Sequence, residues 1–111
     1  MRNVEGPNEG ASSPISPRDK ILYEQEYRRG VELFQRALSE YDKADEIHKK
    51  DAFREVMDRA MQVLNETARE LKRSDLMDQN QKIAQSYQGL QDKEIDPSQL
   101  AQKLKEAKKT V

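Results

Sequence analysis

Large apolar side chains recur through this chain at intervals of three and four residues. Tyr23, Tyr27, Val31, Phe34, Leu38 and Tyr41 are separated by 4, 4, 3, 4 and 3 positions, which keeps all six on one helical face. Ala37 and Ala44 extend that face. A second stripe runs Phe53, Val56, Met57, Ala60, Val63, Leu64, Thr67, Leu71, and a third Leu76, Met77, Asn80, Ile83, Ala84, Tyr87, Leu90. Asn80 and the neighbouring glutamines make the third stripe the least apolar of these. Leu100, Leu104, Ala107 and Val111 form a narrow fourth face. No segment alternates apolar and polar positions with β-branched residues, so no strand competes. The predicted class is all-α, a helical hairpin extended to a small three- or four-helix bundle.

Two helix starts are well marked. At Ser16-Pro17-Arg18-Asp19 the serine can cap free N–H groups, the proline fits the first helical position, and the aspartate suits the positive end of the dipole. At Ile95-Asp96-Pro97-Ser98-Gln99-Leu100 the aspartate caps, Gln99 completes a capping-box-like pair, and Ile95 can staple onto Leu100. The other boundaries lack strong breakers. Lys43 to Asp51 interrupts the stripe, which predicts a bend near residues 45–51 with Asp45 or Asp51 as its cap. After Leu71 the stripe fails at Ser74 and Asp75, so a break is expected at 72–75, with Ser74 as the next cap; the alternative is one long rod over 51–90. Helices are thus expected near 17–44, 51–73, 75–90 and 97–109. Gly30 lies inside the first stripe, where a close helix crossing or a tolerated surface glycine would each account for it. Gly89 falls near the third helix's expected end.

Residues 1–15, MRNVEGPNEGASSPI, have a different texture. Gly, Pro, Ser and Asn dominate, with nothing periodic to bury, so this stretch is expected to be a disordered N-terminal arm ahead of a helical domain spanning 16–111. Ser13-Pro14 and Ser16-Pro17 make Ser13 and Ser16 candidates for proline-directed phosphorylation in a eukaryote. In a bacterium the same arm could serve as a secretion signal.

Charge narrows the function classes. The chain is 37% charged but carries 20 basic and 21 acidic residues, for a net charge of −1. A global attraction to nucleic acid therefore has no basis. The absence of cysteine excludes disulfides, thiolate metal sites and cysteine nucleophiles. No apolar run is long enough to span a bilayer, and no apolar signal-peptide core begins the chain, so the expectation is a cytoplasmic protein without membrane insertion. A signal-peptide-independent export route stays open. Lys103, Lys105, Lys108 and Lys109, with Glu106 among them, suit the negative end of a helix dipole better than a phosphate or membrane site.

Catalytic chemistry finds no foothold in this pattern. His48 is the sole histidine, and the Asp45–His48 pair is too little for a metal site built on helices. Serine nucleophiles lack a histidine partner, and no Gly-rich phosphate loop is present. Glu40 with Lys43, and Glu66 and Glu70 with Lys72 and Arg73, read as solvated faces. The expectation is therefore a protein that is not an enzyme, with no catalytic, cofactor-binding or metal-ligating residues.

The segment Tyr27 to Ala44, YRRGVELFQRALSEYDKA, resembles the paired-helix texture of tetratricopeptide repeats and MIT domains through Ala37, Leu38, Tyr41 and Ala44. Phe53 to Leu71 is loosely similar to the third helix of an MIT domain. The resemblance covers less than half the chain, and no second copy occurs at a 34-residue period. It implies binding of short helical peptides.

These features favour a non-catalytic adaptor or chaperone-like module. Tyr23, Tyr27, Phe34 and Tyr41 are the candidate contacts for a partner helix, since a tyrosine joins a large apolar ring to a polar tip. The same rings would equally serve as the rim of the core. Two alternatives are a self-associating structural protein, forming a homo-oligomer, and a protein addressed through its arm by secretion or phosphorylation.

Overall fold

The computed structural model describes residues 15–111 and is all-α, with four helices and no strand among these residues. They are α1 (Pro17–Lys43), α2 (Ile47–Leu71), α3 (Ser74–Gln91) and α4 (Pro97–Thr110). Of the arm expected over 1–15, only Ile15 is described, and it packs partly buried against the core. Ser13 and the remainder of that stretch lie outside the described residues.

Each stripe turns inward. Tyr27, Val31, Phe34 and Leu38 from α1 meet Met57, Ala60, Leu64 and Ala68 from α2. Leu76, Ile83 and Tyr87 of α3 join them, with Leu100, Leu104 and Ala107 of α4. Contacts fix the topology as a ring in which each helix runs antiparallel to its neighbours. Gly30 faces Val63 and Leu64 across α1–α2, and Tyr87 reaches Asp58 across α2–α3. Gln79 reaches the Lys103 carbonyl across α3–α4, and Lys108 pairs with Glu32 at 2.9 Å across α4–α1. The short fourth helix thus gains the docking surface that an isolated helix of its length lacks.

Gly30 marks a close crossing. A Cβ there would stand 3.1 Å from both Leu64 Cδ2 and Val63 Cγ1, so hydrogen is the only substituent that leaves α2 undisturbed. Gly89 has a related purpose, because Ile95 folds back over it and a Cβ would come within 3.3 Å of Ile95 Cγ1. It sits inside the last turn of α3 rather than beyond it.

The marked caps form as expected. Ser16 Oγ accepts from the Asp19 amide at 3.1 Å, and the Asp96 carboxylate accepts from the Ser98 amide at 3.0 Å. The unmarked boundaries differ in detail. The first turn is only Ala44–Glu46, and α2 starts at Ile47, four residues before the expected position. Neither Asp45 nor Asp51 caps it; Glu46 occupies the cap position without a side-chain hydrogen bond. The stripe is silent here because the hairpin tip projects past α3, whose Tyr87 reaches α2 only at Arg54 and Asp58. The first turn of α2 therefore has little to bury, and Ile47 is 76% exposed.

The α2–α3 break is real, which excludes the single rod. Lys72 adopts a left-handed conformation (φ 55°), and the Lys72 and Arg73 amides turn back to the Arg69 and Ala68 carbonyls. This is the helix-ending pattern that glycine normally supplies. Ser74 is the first helical residue rather than the cap, a place taken by Arg73. Lys93 repeats the motif (φ 62°) after α3, with the Glu94 amide bonded to Gly89 O.

Candidate functional site

The four aromatic candidates of α1 separate by environment. Tyr27 and Phe34 are fully buried, which corrects their assignment to a partner surface in this fold. Their position in the stripe placed them on the face that α2 and α3 already cover. Phe34 meets Tyr87 edge-on, with ring centroids 5.4 Å apart and planes at 80°. The Tyr27 hydroxyl donates to Asn80 Oδ1, and Asn80 Nδ2 donates to Leu64 O at 2.9 Å. This buried relay joins α1, α3 and α2 in sequence. Burial, with Asp75 as a smaller contribution, pushes the Tyr27 phenol well above its ordinary value of 10.0. Burial and the hydrogen bond to Asp58 do the same at Tyr87.

Tyr41 is half-buried and committed within the chain. Lys50 Nζ stands 4.5 Å from the centre of its ring and donates to its carbonyl at 2.9 Å. Tyr23 lines an open cleft.

That cleft lies on the outer side of the α1–α2 seam and measures about 430 Å³. Tyr23 and Glu26 contribute from α1; Val63, Glu66, Thr67, Arg69 and Glu70 contribute from α2. The pairing follows from the stripes. Residues adjacent to an inward-facing position must lie along a seam, and Glu26 beside Tyr27 faces Glu66 and Glu70 beside Thr67 and Leu71. Leu22 and Leu33 flank the cleft on α1, about three turns apart and on one side of the helix; they are 53% and 39% exposed.

Some acids of the bundle have a basic partner and others do not. Glu24 pairs with Arg73, Glu32 with Lys108, Glu46 with Lys49, and Asp51 with Arg54. Among the described residues, Glu26, Glu66 and Glu70 form no ion pair within 4 Å. The sequence placed Arg73 on a solvated face with Glu66 and Glu70. Its guanidinium instead turns to Asp75 at 2.6 Å, Glu24 at 3.5 Å and the Thr110 carbonyl at 3.1 Å. Arg73 thereby ties the base of α1 to the end of α4 and holds the Asp75 carboxyl below its ordinary value. The local sequence signal, acid beside base, does not reveal this choice of partner.

Other candidates are spread over the molecule. Ser16 is exposed at the α1 cap. His48 is exposed at the hairpin tip, 3.3 Å from Glu46. A second groove of about 400 Å³ between α1 and α4 is lined mainly by Leu38, Pro97, Ala101 and the stem of Lys105, with Asp42 at its edge. No cluster of three or more potential metal ligands occurs among the described residues, and none of their helices is long and apolar enough to cross a membrane. Compared with protein-family models, curated proteins and solved structures, the chain matches none.

Proposed function

We propose that this protein is a non-catalytic interaction module that binds another protein along the outer α1–α2 seam. One observation carries the reading. The buried Tyr27 hydroxyl and Asn80 amide satisfy one another and the Leu64 carbonyl inside the bundle, whereas Leu22, Leu33 and Tyr23 present apolar surface beside a cleft with three unpaired carboxylates. Apolar surface rimmed by polar groups is the usual composition of a protein contact. The resemblance of Tyr27–Ala44 to tetratricopeptide and MIT helices supports the same reading, since a groove between paired helices is where a peptide helix lies.

Affinity purification of the tagged full chain from its native host tests this, run beside the double variant Leu22→Ser, Leu33→Ser. Both positions are exposed, so the variant is expected to keep its helical circular dichroism. The expected result is a partner recovered in fixed proportion by the natural chain and depleted at least about tenfold by the variant, the equivalent of 1.4 kcal/mol. Equal recovery by both chains removes the seam, and recovery of nothing above a tag-only control removes the module reading.

A further inference from the structure

We infer that the partner element is a basic amphipathic helix, whose cations enter the Glu26–Glu66–Glu70 cleft beside its apolar stripe. The inference rests on the module reading and adds the chemistry of what binds. Three features of the seam support it together.

First, apolar side chains flank the polar cleft, with Leu22, Tyr23, Val63 and Leu33 partly or largely open to solvent. They therefore offer contact to side chains spaced three and four apart on an incoming helix. Second, the cleft holds three carboxylates against one cation of its own, Arg69. Glu26 belongs to α1 and the other two to α2, so the cleft draws its carboxylates from both helices. An excess of carboxylates over cations at one cleft favours an arriving arginine or lysine over an acidic side chain. Third, the Tyr23 ring forms one wall of the same cleft. An arginine can stack on such a face while its guanidinium meets a carboxylate in a two-point contact. An acidic helix would bring like charges to the same wall.

A second copy of this chain is the competing occupant, because α4 carries lysines 103, 105 and 109 at or near its surface. The α1–α4 groove competes less well. Asp42 and Lys105 leave it electrically balanced, so it selects no charge.

The test uses the full chain, labelled with 15N, and two synthetic helical peptides of about 18 residues. The peptides share one leucine stripe and differ only in carrying arginine or glutamate beside it. In low salt, the arginine peptide is expected to shift amide signals of residues 22–33 and 59–70 and to bind about tenfold more tightly than its glutamate counterpart. Exposed ion pairs are weak singly, so that figure reflects three acting together. The triple variant Glu26→Lys, Glu66→Lys, Glu70→Lys exchanges good helix formers at exposed positions and keeps the fold; it should reverse the preference. Equal affinity for the two peptides overturns the inference, as does an arginine preference surviving in the triple variant or shifts confined to α3 and α4. Signals that move with protein concentration before peptide is added overturn it in favour of the second copy. Host purification separates the two levels: a partner recovered equally by the triple variant rejects the basic helix and leaves the module reading standing. Recovery of no partner by the natural chain rejects the module reading itself.

Discussion

The relay Tyr27–Asn80–Leu64 gives the sharpest stability prediction. Tyr27 is fully buried and Asn80 is 2% exposed, so a polar atom left alone there has no water to turn to. Tyr27→Phe removes the hydroxyl and strands Asn80 Oδ1, at a cost of about 1–3 kcal/mol. Asn80→Leu strands the Tyr27 hydroxyl at a similar cost of about 1–3 kcal/mol, while Leu64 O retains its own helical donor. The double variant removes both partners and leaves an apolar contact of similar volume, so it should lie within about 1 kcal/mol of the natural chain. The coupling energy, the double loss less both single losses, is then about 2–6 kcal/mol in size and opposite in sign to the single losses. Urea titration followed by circular dichroism reads all four proteins, with changes in midpoint at constant slope giving the stabilities. For a domain of this size each kcal/mol also moves Tm by roughly 4–8 °C. Single losses that simply add in the double variant, within about 0.5 kcal/mol, would refute the relay.

The remaining stability predictions follow from burial and backbone geometry. The raised phenols of Tyr27 and Tyr87 keep their protons when the unfolded chain loses them near its ordinary value of 10.0. Their contribution is fully present below that pH and is lost as pH rises above it, by up to about 1.4 kcal/mol per phenol per pH unit. Urea midpoints measured between pH 9 and pH 11 on Tyr27→Phe should show a shallower decline than on the natural chain. Gly30→Leu should destabilise the bundle by about 1–3 kcal/mol in the same assay, because Val63 and Leu64 already occupy the space beyond Gly30. Lys93→Gly should raise stability by about 0.5–1 kcal/mol, read by thermal melting, since Lys93 holds a left-handed conformation that glycine adopts freely.

Much of this fold was legible in the sequence because burial on a helix leaves a period. The inward set of α1, from Tyr27 to Leu38, sits within the stripe that defined it, and Ser16 and Asp96 cap where their neighbours said they would. The start of α2 was not legible, since its first turn extends past its neighbours and has no apolar face to record. The end of α2 was harder still, because Lys72 takes a conformation for which sequence normally signals glycine. The stripe also could not divide the core from a groove. Tyr23 and Tyr27 share a spacing, yet Tyr27 meets Asn80 of α3 while Tyr23 lies nearer the helix start and opens onto the seam. The cleft required a tertiary fact, the departure of Arg73 from Glu66 and Glu70 to Asp75 and Glu24. Nothing in the local order of acids and bases encodes that departure.

The central claim, that the outer α1–α2 seam is the partner surface, is tested most directly by a hydrogen-exchange footprint of the full chain with the partner recovered from its host. The account predicts slowed exchange on binding within residues 22–33 and 59–70, with α3 and α4 unchanged. Protection confined to α3 and α4, or to the α1–α4 groove at Pro97–Lys105, would contradict it.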